Sequence, residues 1–400
     1  MDKRQKNVSA IADYFASGCK KEQLIGLELE HFVVDKQSRR SLPYEKGAEQ
    51  ILKRLQPLYG EAVYSKGRII GILREGSAIT LEPAAQLEIS IGPVVKNNLA
   101  KVSQIYNEFT SLLLPILAEM DCELVCAGYH PKSKIDELPM IPKQRYEYMA
   151  SYLKDSGTHG LNMMKGSAAT QVSIDYESEE DFLKKFRVAN ILGPILAFVC
   201  DNTSVFEGEP YRGRMLRTHI WNNVDPQRSM QVKNALDKGH FGFYDYAEYI
   251  YDVAPILMMK GEEAVYSGQK TVAELFADWD MSREDIEHVI GMVFPDVRLK
   301  TQLEIRNADS MPIELSLAYM SLISGLFYDD ANLDMLYQKT RGLRNNDVAE
   351  AKSALMEKGA KAVVYDRPAE DWISELFQIT IEALSEDEKK FFRPLAARRF

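Results

Sequence analysis

Four stretches of the sequence place acidic and amide side chains at every second position, which is the spacing of one face of a β-strand. In the first stretch, residues 26–35, Glu28 and Glu30 point to one side of the predicted strand and the leucines beside them point to the other. Two neighbouring carboxylates repel each other unless a cation lies between them. The pair is therefore either the solvated face of a strand or part of a platform for metal ions.

Three later stretches repeat this pattern, and each has an apolar opposite face. Their polar positions are Glu82, Gln86, Glu88 and Ser90; Gln171, Ser173 and Asp175; and Gln302, Glu304 and Arg306. If the strands share one sheet, its polar face gathers glutamates with very little lysine, whereas solvated strands usually carry threonine, lysine and mixed charge. Such a face suits hard divalent cations, and Mg²⁺ in particular is shared between carboxylates and substrate phosphates. The residue pattern alone leaves a magnesium–phosphate site and a solvated face both open.

A further alternating run places Arg217, His219 and Trp221 on one predicted face. An arginine beside a tryptophan could bind a carboxylate through two parallel hydrogen bonds. It could equally form an ordinary surface cation–π contact. Arg145 and Tyr146, in a proline-containing stretch, form a weaker candidate of the same kind. The spacing does not decide between these alternatives.

The composition is that of a folded, acidic chain of 400 residues, with 46% hydrophobic residues, 27% charged residues and a net charge of -10. We expect no nucleic-acid or anionic-membrane partner, because both require a basic surface. No P-loop, GxGxxG, GxSxG or HExxH motif is present. Four sparse cysteines, and the lack of a leader or an apolar run of about 20 residues, predict a soluble protein of the cytoplasm.

Strands scattered among helices predict an α+β fold built on a largely antiparallel sheet. Helical periodicity covers residues 7–17, 45–56, 97–119, 178–199 and 312–327, while alternation predicts a hairpin of residues 68–73 and 78–91 and strands at 169–176 and 298–306. We expect a single catalytic domain over residues 1–400. Within it, residues 1–330 form the core, and residues 331–400 form a helical portion packed on that core.

Eight short motifs follow one another between about residues 20 and 330: 26–30, 81–88, 142–146, 160–164, 170–172, 217–221, 294–300 and 303–309. In this order they resemble the motifs of the glutamate–cysteine ligase family of the plant and proteobacterial type. The resemblance implies a glutamine-synthetase-like fold, in which a curved, largely antiparallel sheet forms an open funnel with helices outside. It also implies ATP-dependent ligation of the γ-carboxylate of L-glutamate to the amine of L-cysteine through γ-glutamyl phosphate. That reaction is the first step of glutathione-type thiol biosynthesis.

The resemblance also implies roles for individual residues. It implies that Glu28, Glu30, Glu88 and Glu304 bind two or three Mg²⁺ ions, with Mn²⁺ as a substitute, and that Glu82 and Gln171 are their neighbours. Arg306 and Arg298 would contact the phosphate or acyl phosphate. Arg145, Arg217 and Trp221 would bind L-glutamate, and Tyr146 would lie near the amine acceptor. The implied partners are small molecules only, and the implied assembly is a monomer or a homodimer.

The chain departs from this family's pattern at three places. Ala84 and Ala85 replace two glycines, Gly166 replaces an arginine of plant-type members, and residues 252–257 are aliphatic where the family has an aromatic that helps to hold cysteine. These departures leave a γ-glutamyl ligase with a different amine acceptor as one alternative. A catalytically silent binding or regulatory homologue is another, although the retained glutamates argue against it.

Overall fold

The computed structural model describes residues 2–261 and 263–400, and its central element is a nine-stranded antiparallel sheet. The strands of the described residues are β1 (Leu24–Asp35), β2 (Glu61–Ser65), β3 (Arg68–Arg74), β4 (Ser77–Leu81), β5 (Leu87–Val95), β6 (Cys122–Val125), β7 (Ala169–Ile174), β8 (Val205–Phe206), β9 (Glu209–Pro210), β10 (Ser229–Met230), β11 (Ile256–Lys260), β12 (Glu263–Gly268), β13 (Phe294–Pro295), β14 (Val297–Leu299), β15 (Leu303–Asp309), β16 (Val363–Val364) and β17 (Arg367–Pro368). The sheet has the order β14-β15-β7-β1-β5-β4-β3-β2, and β6 pairs with the second half of β1.

Strand β1 lies at the centre of the sheet, between β5 and β7. Its register places Glu28 opposite Gln171 and Ser90, and Glu30 opposite Glu88. Buried and partly exposed residues alternate along the strand, and the intervening Leu27 and Leu29 are almost completely buried. The predicted separation of an apolar and an acidic face is therefore present in β1.

The helices of the described residues surround this sheet. They are α1 (Lys3–Ala16), α2 (Ala48–Tyr59), α3 (Leu99–Glu119), α4 (Gln144–Ser156), α5 (Glu179–Val199), α6 (Leu216–Trp221), α7 (Phe243–Asp252), α8 (Val272–Leu275), α9 (Arg283–Ile290), α10 (Ile313–Phe327), α11 (Asp330–Thr340), α12 (Asn345–Lys358), α13 (Ala369–Ala383) and α14 (Glu386–Ala396), with a π-helical turn at Asn162–Gly166 and 3₁₀ turns at Ile135–Glu137 and Gly359–Lys361. Helices α5 and α10 are apolar on nearly all sides and are accordingly buried. Helix α10 packs against β1, α3, α13 and α14, while α5 packs against β15, α11 and α12. No helix in the described part of the chain is long and apolar enough to cross a membrane.

Four sequence-based elements differ from the structure. The predicted strand at 78–91 is two strands separated by a loop at 82–86, and the predicted strand at 298–306 is the hairpin β14–β15. The run 217–221 lies in helix α6, so His219 points to solvent, while Arg217 and Trp221 share a face because they are four residues apart. Helix α2 continues through Pro57 to Tyr59, beyond its predicted end.

The loop at 82–86 has a clear physical cause. Ala85 has a left-handed backbone conformation, with φ of 66°, and Pro83 has no N–H for a sheet hydrogen bond. The side chain of Gln86 accepts a hydrogen bond from the Ala84 N–H and donates to the carbonyls of Met164 and Ser167. The loop is therefore anchored to the π-helical turn, and Glu82 reaches the polar face from this loop instead of from a strand.

Candidate active site

The polar face of the sheet borders a cavity of about 390 Å³. It is lined by all but one of the site residues expected from the sequence: Glu28, Glu30, Glu82, Glu88, Arg145, Tyr146, Gln171, Arg217, Trp221, Arg298 and Arg306. The exception is Glu304, which is completely buried and does not line the cavity. A second cavity of about 190 Å³ shares Glu28 with the first and is bordered by small residues, including Gly26, Ser90 and Gly92.

The glutamates of the first cavity are held close to one another in a buried setting. Burial and the charges of Glu304 and Glu88 raise the pKa of Glu28 to about 7. Burial and the charge of Glu82 likewise raise the pKa of Glu88 to about 7. The pKa of Glu30 is raised well above its usual value by burial, Glu82 and Glu88. These shifts show that burial and the neighbouring carboxylates oppose ionisation of the three glutamates more strongly than nearby cations favour it.

Hydrogen bonds orient two of these carboxylates. Glu30 accepts from the Ala169 N–H at 2.8 Å and from Gln171 Nε2 at 3.2 Å. Glu88 accepts from Thr80 Oγ1 at 2.7 Å and from Ser90 Oγ at 3.3 Å. Their neighbours on β4, β5 and β7 therefore fix the direction in which both carboxylates face the cavity.

Glu304 is completely buried and contacts three cations. Its carboxylate oxygens lie 2.6 Å from Arg298 Nη2, 2.6 Å from Lys300 Nζ and 3.1 Å from Arg306 Nη1. Burial alone would raise the pKa of Glu304, but these three cations outweigh it and lower the pKa well below its usual range. Arg306 also donates to Gln171 Oε1. Glu304 thus holds Arg298, Lys300 and Arg306 together as a cationic wall of the cavity.

Lys300 belongs to this wall and lines the cavity, although the sequence analysis did not assign it to the site. A signal for it was present, because Arg298 and Lys300 are two residues apart and share the strand parity that singled out the glutamates. Lys143 also lines the cavity, and burial followed by the charge of Arg145 lowers its pKa. It lies two residues before Arg145, in a stretch without strand periodicity.

Three donors of the cavity wall have no hydrogen-bond partner within residues 2–261 and 263–400. They are Arg145 Nε, Arg217 Nε and Trp221 Nε1, all of them shielded from solvent. The guanidinium carbon of Arg217 lies 5.6 Å from the centre of the Trp221 ring, and Arg217 Nη1 donates to the Arg306 carbonyl at 2.8 Å. The cation–π contact between Arg217 and Trp221 is therefore present, but it lies at the cavity and not on the outer surface. Buried donors without a partner cost free energy unless a ligand accepts hydrogen bonds from them.

The family follows from comparison with known proteins. Residues 24–398 match the family model described as glutamate–cysteine ligase family 2. The chain belongs to glutamate–cysteine ligase family 2. The family and the enzyme class expected from the motifs are confirmed.

Members of this family in plants share moderate sequence identity with the chain. Glutamate–cysteine ligase B, chloroplastic, of Oryza sativa is 29% identical over 388 residues, covering 93% of this chain and 76% of that protein. The chloroplastic glutamate–cysteine ligase of Arabidopsis thaliana is 32% identical over 339 residues, covering 82% of this chain and 64% of that protein. The chain therefore spans about two thirds to three quarters of the length of these relatives.

A solved structure supports the fold. The crystal structure of glutamate–cysteine ligase from Francisella tularensis in complex with AMP superposes with a TM-score of 0.56, covering 94% of this chain and 82% of that chain at 10% identity. At this identity the likeness concerns the fold alone. The expected fold, an antiparallel sheet with helices outside in the manner of the glutamine-synthetase-like ligases, is confirmed.

The three departures from the family pattern have different structural settings. Ala85 has the left-handed backbone that a glycine adopts without strain. A side chain at Gly166 would meet the Tyr129 ring at about 2.5 Å, so the site has no room for the arginine of plant-type members. Ile256 and Leu257 are completely buried and do not border the cavity. Residues 253–257 are therefore part of the core.

The apolar end of the cavity is formed by other residues, which the sequence analysis did not assign. Met149, Met163 and Met164 line it together with Tyr146, whose hydroxyl donates to the Leu81 carbonyl at 3.4 Å. A methionine in the sequence does not by itself indicate a functional site, because methionines are usually core residues. Their role becomes visible only when the π-helical turn is placed beside α4.

The repulsion among the glutamates predicts a pH effect on stability. Because the pKa of Glu88 is higher in the folded than in the unfolded chain, its stabilising contribution is complete below the unfolded value and is lost as the pH rises through about 7. We expect Glu88→Gln to raise the midpoint of thermal unfolding by several degrees at pH 8 and to leave it unchanged at pH 4. The measurement is metal-free thermal unfolding of both proteins, and an equal difference at both pH values would contradict it.

Proposed function

We propose that the cavity catalyses ATP-dependent ligation of L-glutamate to L-cysteine, giving γ-glutamylcysteine, ADP and phosphate. The observation that carries this proposal is the meeting, in one cavity, of an acidic wall formed by Glu28, Glu30 and Glu88 and the cationic wall of Arg298, Lys300 and Arg306. Phosphoryl transfer depends on positioning and charge neutralisation more than on a protein nucleophile, and the two walls can supply both.

The acidic wall has the chemistry of a magnesium site. Glu28, Glu30 and Glu88 offer hard oxygen ligands, and their raised pKa values indicate a deficit of positive charge. Within the described residues, no three acidic, cysteine or histidine side chains are grouped so that they could hold a metal ion by themselves. Mg²⁺ usually takes only some of its ligands from protein and the rest from phosphates and water, so the ATP phosphates would have to complete the site. Bound Mg²⁺ would neutralise the ATP phosphates and hold them in line for transfer.

The cationic wall would act on the transferred group. Arg298, Lys300 and Arg306 face the cavity with their positions set by Glu304. We assign them to the oxygens of the γ-phosphoryl group as it passes from ADP to the glutamate γ-carboxylate. We place the nucleoside of ATP in the second cavity, because its glycine and serine lining leaves space beside Glu28. Glu304 is then a positioning residue in the ligand-free protein, and its assignment as a metal ligand stays a prediction.

The unpaired donors would bind L-glutamate. Arg145 Nε, Arg217 Nε and Trp221 Nε1 can donate hydrogen bonds to the substrate α-carboxylate, which would be their missing acceptor. With the glutamate held in this way, a γ-carboxylate oxygen attacks the γ-phosphorus of ATP and ADP leaves. The amine of the acceptor then attacks the acyl carbon, loses a proton, and displaces phosphate to form the amide.

The methionine-lined end would receive the acceptor. Met149, Met163, Met164 and Tyr146 are largely buried and offer thioether and aromatic contacts to a small side chain. L-Cysteine satisfies this environment, since a neutral thiol behaves as a small hydrophobe. A γ-glutamyl ligase that uses another amine with a short apolar side chain is the second candidate supported by the same residues.

The test is phosphate release with ATP, Mg²⁺ and L-glutamate across a panel of amines. We expect turnover with L-cysteine, weaker turnover with L-2-aminobutyrate, in which a methyl group replaces the thiol, and none with L-aspartate or L-lysine. Turnover with another amine but not with L-cysteine would select the second candidate. Absence of phosphate release with every amine would favour the catalytically silent homologue.

The cytoplasmic location and the monomeric or homodimeric state remain predictions. All four cysteines are free thiols, which supports the proposal of a reducing compartment. The rice and Arabidopsis relatives are described as chloroplastic.

A further inference from the structure

Helix α12 carries a buried lysine that reaches the back of the candidate active site. Lys352 is only 2% exposed, and its Nζ lies 2.6 Å from Asp296 Oδ2 and 3.2 Å from Asn222 Oδ1. Asp296 lies between β13 and β14, and Asn222 directly follows α6. Lys352 therefore contacts the residues next to α6 and β14, which carry Arg217 and Arg298.

Asp296 borders a small space that it shares with two of the cavity arginines, Arg217 and Arg306. Together with Lys352 it borders a small cavity of about 10 Å³, whose lining includes Arg217 and Arg306. This volume is close to that of a single water molecule. The backbone N–H of Arg306 donates to the Asp296 carbonyl at 3.0 Å. Asp296, Lys352 and Arg217 therefore border the same small space.

The charges in this region act on one another. Burial lowers the pKa of Arg217, and the carboxylates of Glu30, Asp309 and Asp296 oppose that shift. Asp296 has two side-chain partners, Lys352 and Gln231, and only Lys352 carries a charge. A buried carboxylate that loses its cation is strongly destabilised and gains from any guanidinium within reach. Arg217 borders the same small cavity, and its guanidinium already interacts with the charge of Asp296.

We propose that Lys352 is a positioning residue that neutralises Asp296 and so keeps Arg217 free for the anionic substrate. The inference rests on the proposed function, because it takes L-glutamate as the ligand of Arg217. It places a residue of the C-terminal helices behind the substrate site, although that residue does not line the main cavity.

The test removes the lysine charge and then the carboxylate that it neutralises. We expect Lys352→Met to raise the KM for L-glutamate about tenfold, because Asp296 then competes for Arg217, while kcat falls less than about threefold. The double variant Lys352→Met with Asp296→Asn removes the competing charge, and we expect its KM to return to within about threefold of the wild type. A purely structural role predicts no such recovery.

Controls separate this effect from general damage. Lys185 forms a comparable buried ion pair with Asp181 on α5, away from the main cavity, so Lys185→Met should leave the KM for L-glutamate unchanged. If Lys352→Met does not fold, Asp296→Asn alone decides. It should keep the KM within about threefold of the wild type, and a rise of about tenfold would overturn the inference.

The outcomes also distinguish this inference from the proposed function. A wild-type protein that neither binds nor turns over L-glutamate would overturn both. A wild-type protein that turns over L-glutamate, with an unchanged KM in Lys352→Met or no recovery in the double variant, would overturn the inference alone.

Discussion

Replacing Arg306 with glutamine is expected to lower kcat by about 10³-fold, the loss typical of an arginine that stabilises a transferring phosphoryl group. Arg306 lines the cavity between Glu304 and Gln171, and no backbone of the sheet depends on its side chain. Glu304 retains Arg298 and Lys300 as partners in the variant, so the fold should persist. The measurement is steady-state phosphate release with ATP, Mg²⁺, L-glutamate and L-cysteine.

A matched control for Arg306 is Arg74→Gln. Arg74 also lies in the sheet, on β3, but pairs with the exposed Glu108 outside the cavity. This variant should retain wild-type turnover. If Arg306→Gln kept kcat within about tenfold of the wild type, the assignment of the cationic wall to the transferred phosphoryl group would be wrong.

Replacing Glu28 with glutamine is expected to lower kcat by at least about 10²-fold and to raise the concentration of Mg²⁺ needed for turnover. The substitution keeps the shape of the side chain but removes a hard anionic ligand at the point where both cavities meet. Stability should change in the opposite direction, because burial and the charges of Glu304 and Glu88 already oppose ionisation of Glu28. We therefore expect a more stable but inactive protein at pH 8.

Two measurements test this combination. Turnover is titrated with MgCl₂, and thermal unfolding is followed without metal. Glu123→Gln serves as the control, because Glu123 lies on β6 of the same sheet, pairs with Arg39 and does not border the cavity. Near-normal turnover of Glu28→Gln at low Mg²⁺ would show that the acidic face does not hold the metal.

The sequence was sufficient to predict the acidic face because the signal is local. Alternation with period two assigns every residue of a strand to a face, and the register of β1 with β5 and β7 then brings Glu28, Glu30 and Glu88 together. Long amphipathic or apolar periods likewise located α3, α5 and α10 to within a few residues. These features depend only on neighbours along the chain.

The parts that could not be predicted depend on distant contacts. The loop at 82–86 requires Gln86 to bind carbonyls of the π-helical turn, about 80 residues further along. Helix α6 begins directly after Met215, which has a left-handed backbone and donates its N–H to Asp201. The three partners of Glu304 come together because the run 298–306 folds back as a hairpin, and strand periodicity does not reveal where a turn will form.

The central position of β1 also bears on how the protein folds. Glu30 and Gln171, which meet on the polar face, are 141 residues apart in the chain. Chains that depend on such long-range pairings lose much conformational entropy before their contacts form, and they fold slowly. Pairing of β1 with β5 places Glu30 opposite Glu88, so the repulsion between these carboxylates is first encountered when the sheet closes at that point. Cations present at that stage would lower the barrier to closing the sheet, so that the same ions would serve folding as well as phosphoryl transfer.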